Sequence, residues 1–254
     1  MRTAVSPMLV RLADERATGV LIRERGTLYL AEGQVVHAES PAAPGLDVLL
    51  SATGRLPRAG WEEAVARAGA RQEVGRFLVD SGRLAGGELE LCHLGALFDA
   101  AFFALAPSSG PSRFRYGVSH WIGPVRPVPA AVVAHESSRR RALLAAVWPY
   151  PDVDSAPVVP RAPTADRWIP RRQRVVLSLA DGVRTPEAIA RALGRPAFHT
   201  LLEVRRLAAG GLVETPAAPA PVPASPALEG VAMQYAAPDI TLLRRLRDAL
   251  EESL

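Results

Sequence analysis

Three short runs of β-branched and aromatic residues near the start of the chain predict a β-meander. They occupy residues 19–23 (GVLIR), 27–31 (TLYLA) and 34–39 (QVVHAE), and a glycine lies in each connection between them. Glycine adopts the positive φ angles that tight hairpin turns require, so the runs are expected to pair as consecutive antiparallel strands. An apolar stripe over residues 7–16 predicts a short helix ahead of them.

A helical spacing of apolar residues dominates the rest of the first 148 residues. Apolar positions recur three and four apart, which is the spacing of one helix face. The predicted helices cover residues 44–53, 61–70, 74–80, 89–105 and 130–147, and one more strand is predicted over residues 114–122. This order predicts an α+β fold, with a small β-meander and helices packed on it.

A helix-turn-helix pattern is the clearest local signal in the chain, and it falls within residues 167–215. Thr185 is a favourable N-cap, and Pro186 and Glu187 suit the first turn of a helix. Pro196 cannot continue that helix but can begin the next one, as in the turn of a helix-turn-helix. With a strand predicted at residues 212–215, the segment is expected to be winged-helix-like.

Two proline-rich stretches separate the predicted modules, because neither has helical or strand periodicity. The predicted organisation is an α+β domain at residues 1–148, a Pro-rich linker at 149–166, a winged-helix-like domain at 167–215, a Pro/Ala-rich disordered linker at 216–227, and a tail at 228–254 with a C-terminal amphipathic helix.

The first half of the chain resembles a known family. Residues 19–38 read G-V-L-x-x-x-x-G-x-L-Y-L-A-E-G-Q-V-V-H-A, and residues 44–50 (PGLDVLL) and 75–84 (GRFLVDSGRL) follow. These segments are similar to the PATAN-type domain, whose members have a short β-meander capped by helices. The resemblance implies a bacterial regulatory or signalling protein, often found beside small GTPases and roadblock-type proteins. It implies no catalytic residue.

The distribution of charge bears on the kind of partner. The 30 basic residues are all arginine, which the codon usage of a GC-rich genome explains, and the net charge is +4. Residues 167–214 nevertheless hold nine arginines against four carboxylates, a local net charge of +5. A basic excess on a small folded segment is typical of a module that faces a polyanion.

The candidate DNA contacts lie on the first and third helices of the helix-turn-helix. The first helix offers backbone clamps and the third a recognition face; the residues are Arg171, Arg172, Arg174, Arg195, His199 and Arg206. Glu203, expected on the same outward face, would repel phosphate. Winged helices also serve as protein-docking modules, so DNA binding and protein binding both stay open.

The C-terminal helix predicted over residues 240–254 has one apolar stripe that needs a partner. The stripe includes Ile240, Leu243, Leu246 and Leu250, and Asp239 is a suitable N-cap. It is expected either to pack back on the N-terminal domain or to bind another subunit or protein.

Several classes of protein are not expected. No run of about 18 apolar residues predicts a membrane span, and charges return too soon after the start for a signal peptide, so a cytoplasmic location is expected. Cys92 is the only cysteine, and the five histidines show no metal-ligand spacing, so ordinary packing is expected for them. No catalytic motif is present, and we expect no enzyme activity, cofactor or metal.

The sequence therefore predicts a bacterial regulatory protein that binds DNA through the winged helix-turn-helix, with the N-terminal domain and the C-terminal helix available for protein partners or self-association. The alternative is an adaptor that binds proteins but not DNA, in a signalling complex of the small-GTPase and roadblock type.

Overall fold

The computed structural model describes residues 6–161 and 168–214, which belong to one compact unit. In chain order the elements are α1 (Pro7–Asp14), β1 (Gly19–Arg23), β2 (Gly26–Ala31), β3 (Gln34–Glu39), α2 (Leu46–Ala52), α3 (Arg58–Ala68), α4 (Val74–Asp80), α5 (Gly86–Ala104), β4 (Arg113–Tyr116), β5 (Val128–Pro129), α6 (Ala130–Val147), α7 (Arg171–Leu177), α8 (Pro186–Leu193) and α9 (Ala197–Ala209). The α+β class is thus confirmed.

The five strands form one antiparallel sheet in the order β4-β1-β2-β3-β5. Its centre is the predicted meander, with Val20 opposite Tyr29 and Tyr29 opposite His37. At the outer edge of β1, a side chain at Gly19 would collide with the carbonyl oxygen of Arg115 in β4. Glycine therefore allows the two strands to approach closely at that position.

The strand predicted over residues 114–122 is correct only at its beginning. β4 ends at Tyr116, and the chain then turns at Gly117, whose φ of 73° lies in the left-handed region. The alternating residues that follow belong to a loop, where His120 and Ile122 are buried by contacts with other elements and not by strand pairing. Alternation alone could not distinguish these two causes of burial.

Helices α5 and α6 pack on the sheet, and one apolar core joins them to the C-terminal helices. Leu21 and Leu28 of the sheet pack with Leu97 of α5, and the same core includes Phe198 and Leu201 of α9. A second core lies between α2, α3, α4 and α5. The helix-turn-helix therefore shares its core with the N-terminal half of the chain.

The helix-turn-helix forms with the predicted caps. The Thr185 hydroxyl accepts a hydrogen bond from the Ala188 N–H at 3.3 Å, and Gly194 ends α8 with a φ of 58°. Near the end of the described chain, Val213 forms a β-bridge, and its partner is Pro160, upstream of α7. Within the described residues, the strand predicted at residues 212–215 is therefore reduced to this one bridge, and its partner comes from the segment before the module.

That upstream segment is not the extended linker that its composition predicts, at least over residues 149–161. A 3₁₀ helix spans Pro151–Asp154, and Val153 and Val158 are buried in the core of the helix-turn-helix. The guanidinium of Arg205 on α9 donates two hydrogen bonds to the Asp154 carboxylate, at 2.8 and 2.6 Å. The two buried valines and the ion pair therefore fix the conformation of a segment that its proline content alone predicts to be a flexible linker.

The predicted partner-binding stripe of Ile240, Leu243, Leu246 and Leu250 lies outside the described residues, as does the Pro/Ala-rich stretch 216–227. Among the helices that the structure describes, none has the length and apolar character needed to cross a membrane.

Candidate functional site

A carboxylate from the N-terminal half caps the third helix of the helix-turn-helix. Asp99 on α5 is 0% exposed, and its two oxygens accept hydrogen bonds from the N–H groups of Ala197 (2.6 Å) and Phe198 (2.8 Å). The first N–H groups of any helix lack partners within it, and Pro196 at the N-cap position makes no side-chain cap. Asp99 supplies the missing acceptor from 98 residues away.

Aromatic and cationic groups surround this cap. The ring of Phe198 packs against Phe102 at a centroid distance of 5.5 Å, and the guanidinium of Arg140 lies over Phe198 at 4.7 Å. Arg140 is also 3.8 Å from the Asp99 carboxylate. Burial raises the pKa of Asp99 to about 6, although both backbone hydrogen bonds and Arg140 act in the opposite direction. The cap is thus a buried carboxylate held mainly by N–H donors.

One side of the first turn of α9, with Ala197, Phe198 and Thr200, is consequently buried, whereas His199 on the same turn is exposed. In helix-turn-helix proteins that bind DNA, this is the part of the recognition helix nearest the bases. Of the predicted recognition residues, Arg195 and His199 are exposed, and Arg206 is exposed but forms an ion pair with Glu203 at 2.8 Å. Glu203 itself is only 7% exposed, so its expected place on an outward face is wrong.

The predicted DNA contacts divide into two groups. Arg172, Arg195, His199 and Arg206 line one cleft of about 570 Å³, together with Arg139 of α6. Arg171 and Arg174 are exposed on α7 but do not line it. The second group is therefore a separate basic surface and not part of one recognition face.

Four of these arginines lack a partner. Within the described residues, the side chains of Arg171, Arg172, Arg174 and Arg195 form no ion pair or hydrogen bond. In the N-terminal half, ten arginines from Arg11 to Arg140 have an acidic partner, whereas Arg16, Arg25, Arg113 and Arg115 have none among the described residues. The unneutralised positive charge near α7 is available to an external anion.

A second candidate site is a stack of three histidines that sequence spacing did not indicate. The His37 and His120 rings stack with centroids 3.9 Å apart, and His37 Nδ1 lies 3.2 Å from His93 Nε2. His120 Nε2 is 3.1 Å from a carboxylate oxygen of Glu39. Beside this histidine cluster (His37, His93 and His120) lies a cleft of about 500 Å³ that Trp61 and Trp121, among others, line.

Two imidazoles of the histidine cluster, those of His37 and His93, have lowered pKa values. Burial and the neighbouring histidines lower the pKa of His37 well below its usual value, and burial lowers the pKa of His93 to about 4. The hydrogen bond from His120 lowers the pKa of Glu39. At neutral pH the imidazoles of His37 and His93 therefore remain uncharged while the Glu39 carboxylate is ionised.

One possible ligand atom from each of His37, Glu39 and His120 lies within 4.8 Å of the others, which raises the question of a metal ion. The rings of His37 and His120 are only 23° from parallel, whereas the nitrogen lone pairs lie in the ring planes. His120 Nδ1 also accepts a hydrogen bond from the Ile122 N–H at 3.2 Å, which places the ring proton on Nε2. The present arrangement is therefore a hydrogen-bonded stack, and a metal ion would require His120 to turn.

One signal for this cluster existed in the sequence. His37 and Glu39 are two residues apart on a strand, so they share a face of the sheet. Their partners His93 and His120 come from α5 and from the loop after β4, and no spacing along the chain connects them.

Comparison with known proteins gives no relative from which to transfer a function. The chain matches no protein-family model, no curated protein and no solved structure.

Proposed function

We propose that this protein is a bacterial regulatory adaptor, and that its helix-turn-helix binds a protein partner and does not read DNA bases through α9. The observation that supports this most directly is the cap from Asp99 to Ala197 and Phe198. The cap fixes the start of α9 against the protein's own N-terminal half, with Ala197, Phe198 and Thr200 buried. Arg195 and His199 are the recognition residues that stay exposed there, which is a small surface for reading bases.

The surface proposed for the partner is Trp168 together with the exposed arginines of α7. Trp168 is 80% exposed, and Arg171 and Arg174 follow it with no acidic partner among the described residues. Tryptophan and arginine are the residues most enriched among interface hot spots. Because the arginines are unpaired, the complementary surface would be acidic.

The resemblance of residues 19–38 to the PATAN-type domain gives a class of partner to test. Members of that family occur beside small GTPases and roadblock-type proteins. Small GTPases and roadblock-type proteins are therefore the first binding partners to test, beginning with those encoded by neighbouring genes.

Binding of the full-length chain to each purified candidate, followed by biolayer interferometry, tests the proposal. Trp168→Ala and Arg174→Glu should each weaken binding by about tenfold or more, the effect of removing a hot-spot side chain. Tyr116→Ala is the matched control, since Tyr116 is 67% exposed but lies on β4. Equal loss in the control, or no binding of any candidate, would count against the adaptor.

DNA binding is the second candidate, and the unpaired arginines favour it. Arg171, Arg172, Arg174 and Arg195 could contact phosphates without using the buried side of the first turn of α9. Fluorescence anisotropy with labelled duplexes at low and near-physiological salt separates the cases. Affinity that survives the higher salt and differs between sequences would establish a DNA regulator and overturn the adaptor proposal, whereas loss with salt would indicate only a basic surface.

A further inference from the structure

The cleft between α6, α7 and α9 combines a basic rim with an apolar floor. Arg139, Arg172, Arg195, His199 and Arg206 contribute to its lining. Its volume of about 570 Å³ falls within the range of about 300–1,000 Å³ typical of small-molecule sites. It also lies where the N-terminal half meets the helix-turn-helix, and ligand sites are frequent at such boundaries.

The net charge of the rim is specific enough to suggest a ligand class. Arg139 donates two hydrogen bonds to Glu136, at 2.7 and 2.9 Å, and Arg206 pairs with Glu203. Arg172 and Arg195 have no such partner among the described residues. Two uncompensated positive charges remain, which match the charge of about −2 on a phosphate monoester.

The electrostatic environment of His199 agrees with this count. His199 is exposed at one side only, and partial burial of its ring in the cleft lowers its pKa first, while the positive charges of Arg140 and Arg172 lower it further. The imidazole is therefore neutral at pH 7 and can donate a hydrogen bond to a phosphate oxygen without adding charge.

The floor distinguishes an organic ligand from an inorganic anion. Leu143, Val176, Leu193, Phe198 and Leu202 line the same cleft. Val176, Phe198 and Leu202 are already buried, but Leu143 and Leu193 keep part of their surface exposed. Inorganic phosphate would leave these two leucines uncovered, whereas an aromatic or apolar body attached to the phosphate would cover them. DNA would offer its phosphates on the outside of a duplex and would not fill a concave floor between three helices.

We infer that this cleft is a binding site for an organic phosphate of about nucleotide size, with Arg172 and Arg195 on the phosphate and Leu143 and Leu193 against the organic body. The site goes beyond the adaptor function and does not depend on it. A ligand there would contact α6 of the N-terminal half and α7 and α9 of the helix-turn-helix at once. It would therefore strengthen their association by binding energy alone.

Isothermal titration of the full-length protein with ADP, adenosine and inorganic pyrophosphate tests the inference. ADP should bind more tightly than either of the other two, because only ADP contacts both rim and floor. Arg172→Gln and Arg195→Gln should each weaken ADP binding by about tenfold, the loss of one charged hydrogen bond. Arg115→Gln, an exposed arginine on β4, should leave the affinity unchanged.

A floor variant makes the test sharper. Leu143→Ala should weaken ADP binding but leave pyrophosphate binding unchanged, since Leu143 is only partly buried and its replacement should not unfold the protein. The inference is overturned if ADP does not bind, if pyrophosphate binds as tightly as ADP, or if Arg115→Gln has the same effect as the rim variants. Binding of a duplex but not of ADP, abolished by the same two rim substitutions, would assign the rim to DNA instead.

Discussion

The histidine cluster and the Asp99 cap are both buried and polar, but they are stabilised in opposite ways. His37 and His93 are kept uncharged by burial and by each other. Asp99 receives two backbone N–H donors from a helix of the other half of the molecule, so its ionised form is partly compensated. One centre keeps the imidazoles of His37 and His93 uncharged, and the other uses a carboxylate to join two modules.

This difference predicts how the stability of the fold depends on pH. Lowering the pH adds protons that the buried histidines resist, whereas Asp99 accepts a proton more readily than an exposed aspartate. The two centres therefore impose opposite pH dependences on stability, and single substitutions should separate them.

The largest expected effect is the removal of the cap. Asp99→Ala leaves the N–H groups of Ala197 and Phe198 buried without an acceptor, and each such group costs about 1–3 kcal/mol. We expect the free energy of unfolding in urea to fall by about 4 kcal/mol. Asp80→Ala is the control: its carboxylate is exposed and pairs with Arg76 at 3.3 Å, so a loss as large as that of Asp99→Ala would refute a special role for the cap.

The next largest expected effect is a loss of stability at low pH, which arises in the histidine cluster. The pKa of His93 is about 4 in the folded protein and 6.5 in its ordinary state. Its contribution to stability is therefore complete above pH 6.5 and is lost as the pH falls through that value toward 4, by about 3 kcal/mol. The difference in unfolding free energy between wild type and His93→Gln, measured from pH 7.5 to 4, should show this loss; a difference independent of pH would contradict it.

Asp99 should give a dependence of the opposite sign. Its pKa is about 6 in the folded protein against a usual 3.8, so its contribution is complete below pH 3.8 and declines as the pH rises through 6. The decline should be about 2–3 kcal/mol. Wild type should accordingly gain stability relative to Asp99→Asn as the pH is lowered from 7.5 to 4. If wild type loses stability relative to this variant on acidification, the carboxylate is less buried than described.

A smaller effect is expected away from both centres, at the cap of α8. Thr185→Ala removes the hydroxyl that accepts from the Ala188 N–H, at a cost of about 1 kcal/mol. Thr185→Ser keeps the acceptor and should recover most of that loss in the same urea titration. Equal destabilisation by both substitutions would show that packing of the threonine methyl group matters more than capping.

The sequence predicted local structure well and long-range contacts poorly. Strands β1 and β3 and the helices Val74–Asp80 and Ala130–Val147 follow from periodicity and turn residues, which depend on near neighbours. The ordering of residues 149–161 depends on Arg205 and on the burial of Val153 and Val158 in the core of the helix-turn-helix, which proline content does not reveal.

Both candidate sites show the same limit. The arginines Arg172, Arg195 and Arg206 were recognisable as one group, but their grouping with Arg139 around a cleft depends on how α6 packs against α9. The histidine cluster likewise joins β3, α5 and a loop. Side chains that meet only through tertiary packing leave no spacing signal in a single chain.

The bridge between Pro160 and Val213 determines how this protein can be truncated or its helix-turn-helix moved into another protein. Arg161 donates its N–H to the Leu212 carbonyl, and Glu214 donates to the Val159 carbonyl. A fragment that begins at residue 167 would lack the segment that carries Pro160 and would expose the apolar surface which Val153 and Val158 now cover. A transplanted helix-turn-helix would therefore have to include the proline-rich segment before its first helix, and it would still lack the N-terminal side chains with which Phe198 and Leu201 share a core.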